Sequence, residues 1–239
     1  SIEKHLLKVN LILRFLRSEK WTHQSILQEL LQLESRQAIH KTLISMEAKS
    51  LIKRHSIEFA YGRPITVWGI TPHGIMMSFS DNEPMSNIRA FEPSKLKITQ
   101  MNHTLDIQQV QIKAQIAGWK EWNTASFCKK DIKNPDATSR RPDGKVVAFE
   151  IERTIKSLRR YPDVLVSHLK GRKQGLWDEI YYLCPDINIK ARLIKAFDTI
   201  ETVKHDRNII KITNAHKVPF KFFTYNENWQ QTYKKEREQ

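Results

Sequence analysis

Between residues 50 and 70 the hydrophobic period of this chain switches from helical to extended. Before the switch, apolar residues recur at helical spacing. Leu6, Val9, Leu13 and Leu16 predict one amphipathic helix. Ile26, Leu27, Leu30 and Leu31 predict a second, with Thr22 as its N-cap, and Ile39, Leu43 and Met46 a third, opened by Ser35. After the switch, LIKRHSIEF and PITVWGI are β-rich runs joined by AYGR, where Gly62 permits a tight turn. Three helices must therefore share their apolar stripes with a β-hairpin.

That order is the winged helix-turn-helix pattern, in which the third helix enters the major groove and the hairpin acts as a wing. Arg36, Gln37, His40 and Lys41 lie on the polar side of the third helix, and Arg54 and Arg63 lie on the hairpin. All six are candidates for contacts to double-stranded DNA. A polar face with two cations is also what any solvated helix shows; here charge supports the DNA reading. The 239 residues carry 40 Lys+Arg against 26 Asp+Glu, a net charge of +14, with a sequence pI of 9.8. Such an excess suits a polyanionic partner. TPHGIMMSF predicts a short closing helix, and residues 80–95 are polar, aperiodic and hold two prolines. The expected organisation is a DNA-binding domain over 1–79, a linker over 80–95 and a second domain over 96–239.

The second part alternates helical and extended patterns, which predicts an α/β or α+β domain on a central mixed sheet. A helix is expected from about Met101 to Ala117, ended by Gly118. KEWNTASF, KVVAFEIE, DEIYYLCPD, NIIKITNA and PFKFFTY read as strands. TIKSLRRYPDVLVSHLKGRK reads as helix with a kink or fresh start near Tyr161, because Pro162 lies inside it. No apolar run approaches the ~20 residues that span a bilayer, so membrane insertion is not expected. There is no signal-peptide pattern. Cys128 and Cys184 suit a reducing compartment as buried small residues, and a cytoplasmic location is expected.

Within KVVAFEIE, Ala148, Glu150 and Glu152 share one face of a strand and Val147, Phe149 and Ile151 the other. Asp143 precedes the strand and Lys156 follows it. A turn that brought Asp143 alongside Glu150 would put three carboxylates around one point. A hard cation, Mg²⁺ or Mn²⁺, would offset their repulsion. Lys156 could then stabilise charge on a transferring phosphate. In isolation, Glu150 and Glu152 could instead pair with Arg153, Arg159 or Lys145 on an exposed edge, at little energetic value.

Pro142-Asp143 followed by Glu150-Ile151-Glu152 resembles the PD-(D/E)xK nuclease motif of the restriction-endonuclease-like fold, with Glu152 where that motif has lysine. The longer string Glu150-x-Glu152-x-Thr154-x-Lys156-Ser157-x-x-Arg160-Tyr161, with His103-x-Leu105, is similar to the replication-relaxation family of plasmid proteins, and most to its MobC-type mobilization relaxases. The resemblance implies a winged helix ahead of a nuclease-like domain. It implies an endonuclease that nicks one DNA strand at a plasmid transfer origin, with a coupling protein and other relaxosome components as partners. It makes Asp143 and Glu150 metal ligands, Glu152 a further ligand or a base, and Lys156 a displaced motif lysine. Asp106 or Glu121 could add an acid, and Arg140, Arg141 and Arg160 would hold phosphates around the centre. Tyr161 reads better as a packed aromatic than as a nucleophile, and Trp119, Trp122 and Trp177 as core. Two other functions compete: a non-catalytic winged-helix initiator or repressor with a degenerate second domain, and a restriction or repair endonuclease.

Overall fold

The computed structural model describes residues 2–124, 132–205 and 207–236. Helices and strands are mixed and the strands form several sheets. The chain divides into two compact units, residues 1–112 and 113–239.

The first unit opens with α1 (Ile2–Glu19), β1 (Trp21–His23), α2 (Gln24–Leu30) and α3 (Arg36–Ala48). The hairpin strands β2 (Ile52–Ile57) and β3 (Ile65–Ile70) follow, then α4 (Pro72–Met77) and α5 (Ile98–Ile116), which runs on past residue 112. The strands form an antiparallel sheet in the order β1-β3-β2. The apolar stripes of the helices meet as expected: Leu13, Leu16, Leu27, Ile39 and Leu43 are buried in one cluster with Trp68 and Ile70 of the sheet. Ser35 caps α3 by accepting from the Ala38 N–H. Thr22 does not cap α2; that role falls to the His23 ring, which accepts from the Ser25 N–H. Thr22 pairs with Trp68 in the added strand β1, and its buried hydroxyl donates to Gln108 Oε1 at 2.6 Å.

Residues 80–95, expected as a linker, belong to this first unit. Arg17 holds Glu83 through two bonds of 2.6 and 3.2 Å, and the Phe91 N–H donates to the Ile70 carbonyl. The Phe91 ring covers Gly69 so closely that a Cβ there would lie 2.2 Å from Phe91 Cδ1. Gly69→Ala must push this segment off the sheet, an overpacking cost of about 1–3 kcal/mol. Chemical denaturation checks it; unchanged stability would show that Phe91 is not held there.

The second unit carries β4 (Lys120–Asn123), β5 (Ala137–Arg140), β6 (Val146–Ile151), α6 (Arg160–Lys173), β7 (Glu179–Cys184) and α7 (Ile187–Asp198). Then come the hairpin β8 (Thr202–His205) and β9 (Asn208–Lys211), α8 (Asn214–Lys217), β10 (Phe220–Thr224) and α9 (Thr232–Glu236). Its main sheet runs β10-β7-β6-β5-β4. β4, β5 and β6 form an antiparallel meander, and β7 and β10 continue parallel to β6. Parallel neighbours need crossovers, and α6 supplies the first. It starts afresh at Arg160, with Pro162 in its first turn, where no N–H bond is lost. One sheet face, with Ala148, Ile180 and Tyr182, packs on Tyr161 and Leu165 of α6 and Leu193 and Phe197 of α7. The other face carries Phe149 and Tyr181, whose rings lie 5.5 and 6.0 Å from Trp119. Trp119 and Trp177 are core residues, as expected. Cys184 is buried, its thiol pushed up to about 12 by burial, whereas Cys128 lies outside the described residues.

Candidate functional site

Two arrangements stand out, one in each unit. In the first, the i, i+1, i+4, i+5 spacing of Arg36, Gln37, His40 and Lys41 puts all four on one side of α3. With His23, Gln24, Arg54 and Trp68 they line a groove of ≈ 680 Å³. Gln24 ties the start of α2 to α3 by donating to the Arg36 carbonyl at 3.1 Å. The Arg54 guanidinium lies over the Trp68 ring and 3.2 Å from Glu47 Oε2. Burial, and then the Arg36 charge, lower the pKa of His23, and Arg36, Lys41 and Arg54 bring cationic side chains to the groove. Arg63 sits exposed in the hairpin turn and is not among the groove's lining.

The second arrangement is the end of β6. Glu150 and Glu152 share a face, as the period of two requires, and both are 2% exposed. Lys133 Nζ donates to both oxygens of Glu150, at 3.0 and 2.8 Å, and the wholly buried His168 of α6 lies 2.9 Å from Glu150 Oε1. Burial alone would raise the Glu150 pKa; the His168 bond and the charges of His168 and Lys133 outweigh it and bring the carboxyl to about 2. Glu152 differs. Burial raises its pKa, the neighbouring Glu150 adds to this, and the Lys156 ammonium at 3.0 Å only partly opposes it.

Asp143 does not join these acids. It sits before β6, whereas Glu150 is four residues into the strand, about 13 Å further on. Its carboxylate is held by Arg141, with bonds of 2.9 and 2.8 Å. Arg141 also bonds Glu179 and Tyr181, which pair with Val147 and Phe149 and so face away from Glu150. Arg141 is 1% exposed, which removes it from the set that could touch DNA. Arg140 is exposed and paired with Glu121 at 2.8 Å, and Arg160 is exposed at the start of α6.

The acid that does lie beside Glu150 is Asp136, at the head of β5. Its N–H donates to the Phe149 carbonyl, and its Oδ2 accepts from the Ile151 N–H at 2.7 Å. Burial raises the Tyr182 pKa, and the charges of Glu150, Glu152 and Asp136 add to it. The sequence held a signal for this residue: Pro135-Asp136 is a second Pro-Asp step, seven residues before the first. Lys133 had none, since only the pairing of β5 with β6 brings it to Glu150.

A hard divalent cation needs oxygen donors, and Asp136, Glu150 and Glu152 supply that chemistry; Asp143, engaged by Arg141, does not. Among the described residues no three His, Cys, Asp or Glu side chains already close into a ligand set. The Lys133 ammonium, on a side chain that is 41% exposed, stands beside Glu150 where a cation would have to bind. Two buried polar atoms near Glu150, His168 Nδ1 and the Tyr182 hydroxyl, have no hydrogen-bond partner among the described residues. Tyr161 is 1% exposed, and its hydroxyl accepts from the Lys156 N–H at 2.9 Å. No helix among the described residues is long and apolar enough to cross a membrane. Comparison with protein-family models, curated proteins and solved structures finds no match to the chain.

Proposed function

We propose that this chain is a divalent-metal-dependent DNA endonuclease, in which a winged helix binds duplex DNA and a PD-(D/E)xK-like unit nicks one strand at a plasmid transfer origin. The observation that carries the enzymatic part is the placement of Asp136 beside Glu150 on adjoining antiparallel strands, with Glu152 two residues on. The order α5-β4-β5-β6-α6-β7, a meander followed by a parallel strand, is the one a restriction-endonuclease-like core would have. Plasmid mobilization and its coupling-protein and relaxosome partners rest on the resemblance carried by residues from about 140 to 161, and a cytoplasmic location on the use of cysteine.

In this reading Asp136 and Glu150 hold Mg²⁺ or Mn²⁺, which when bound supplies charge stabilisation at the scissile phosphate. Glu152, whose proton affinity is raised, takes the proton of the attacking water. Lys156 and a displaced Lys133 neutralise the phosphate oxygens. Water is the nucleophile, because the Tyr161 hydroxyl is buried and engaged with backbone. The α3 groove carries duplex binding. Arg36→Ala combined with Lys41→Ala should lower the slope of log K against log salt by about 1.8, ~0.9 for each phosphate no longer neutralised. A titration with an unchanged slope would remove this groove from the DNA interface.

Supercoiled plasmid carrying the DNA that flanks the gene tests the function, incubated with Mg²⁺, Mn²⁺ or EDTA. Metal-dependent open circles support a nickase. Linear product without origin preference points to a restriction or repair enzyme. One observation favours a non-catalytic initiator or repressor: lysines neutralise both Glu150 and Glu152 in place of a cation. Tight, specific binding without cleavage would establish it.

A further inference from the structure

The first unit has a second groove, ≈ 450 Å³ in volume. Its floor is aromatic: the Trp21 and Phe91 rings lie 6.2 Å apart, with Phe91 seated over Gly69. Trp21 pairs with Gly69, one residue out of step with Trp68 and Arg54. By the alternation of strands this floor belongs to the sheet face opposite the one that carries Trp68 and Arg54.

The groove's rim is cationic. Lys95 is neutralised by Glu92 at 2.7 Å, and the Lys20 ammonium donates to the Arg17 carbonyl. Arg89 and Lys97 are exposed, and among the described residues neither has a carboxylate at ion-pair distance. Gln100 on α5 adds an amide that can both donate and accept.

An apolar floor below two unpaired cations fits neither a plain anion nor a double helix. A small anion leaves the rings uncovered, and a duplex keeps its base faces stacked inside. An unpaired nucleotide offers a phosphate to the rim and a π-face to the floor, the combination that single-strand binding uses. We propose that this groove holds a nucleotide of single-stranded DNA, with phosphates at Arg89 and Lys97, the base against Phe91 and Gln100 at the base edge. The source of that strand rests on the nicking reading, since opening a nicked origin supplies one; the chemistry of the groove does not.

The test is fluorescence anisotropy of labelled oligo(dT) with the full chain in EDTA, where cleavage plays no part, across a salt series. Arg89→Ala combined with Lys97→Ala should lower the salt slope by about 1.4, ~0.7 for each single-strand phosphate contact. Binding of a duplex of equal length should stay unchanged. The exposed pair Lys204→Ala with Arg207→Ala, in the other unit, is the charge control and should leave oligo(dT) binding as in the wild type. A matched thermal melt by circular dichroism confirms that the variant is folded. An unchanged oligo(dT) slope, or an equal loss for duplex and single strand, overturns the proposal, whether or not the protein cuts DNA.

Discussion

Glu150→Gln is expected to lower strand cleavage by at least ~10²-fold while duplex binding through the α3 groove is retained. The substitution keeps the side chain's size and its bond to His168 but removes the charge that draws a cation. Lys133 and His168 hold the Glu150 carboxylate from two sides, so its rotamer is set before any ligand arrives. Nicking and binding measured on the same preparation separate the outcomes. Loss of both together, with a lowered melting temperature, would make Glu150 a structural group.

Arg141→Leu is expected to cost about 3–5 kcal/mol and to lower Tm by roughly 10–20 °C. Its guanidinium is fully buried, holds Asp143 and Glu179, and lies over the Tyr233 ring. Removing it leaves two carboxylates short of a charge partner away from solvent. The same network sets an acid limit. The Arg141 bond holds the Asp143 pKa below its ordinary 3.8. Burial would raise Glu179, but Lys145 and Arg141 together bring it below 4.5. Groups whose pKa is depressed on folding stabilise the fold fully above those ordinary values and lose that contribution as pH falls through the lowered ones. Wild-type Tm should therefore drop steeply below about pH 4.5. In Arg141→Leu the drop should be shallower, because much of the linkage is already gone. Equal acid slopes in the two proteins would show that Arg141 is not what depresses the pair.

The helices of the first unit were legible because each carries an apolar stripe of period 3.6 ending at a polar cap, as with Ser35 before Ile39, Leu43 and Met46. The segment 80–95 was not. It lacks periodicity, and what holds it are contacts between residues distant in sequence, among them Glu83 on Arg17, the Phe91 N–H on the Ile70 carbonyl and the Phe91 ring on Gly69. Thr22 looked like a cap because its type fits that position, yet β1 recruits it into a sheet that local patterning does not show. The facing of Glu150 with Glu152 followed from strand alternation alone. The choice between the two Pro-Asp steps that precede the strand did not, because it depends on register: Ala137 opposite Phe149 sets Asp136 beside Glu150, while Asp143 falls past the other end of the strand. Arg141 looked like a surface cation in a basic run, and only the fold shows that Glu179, 38 residues away, draws it inside.

The most direct measurement is nicking of origin-bearing supercoiled plasmid in Mg²⁺ by Asp136→Asn and Asp143→Asn, side by side with the wild type. The wild type and Asp143→Asn are expected to form open circles, and Asp136→Asn is not. Activity in Asp136→Asn with loss in Asp143→Asn would contradict this, and so would a wild-type protein that binds the plasmid and leaves it intact.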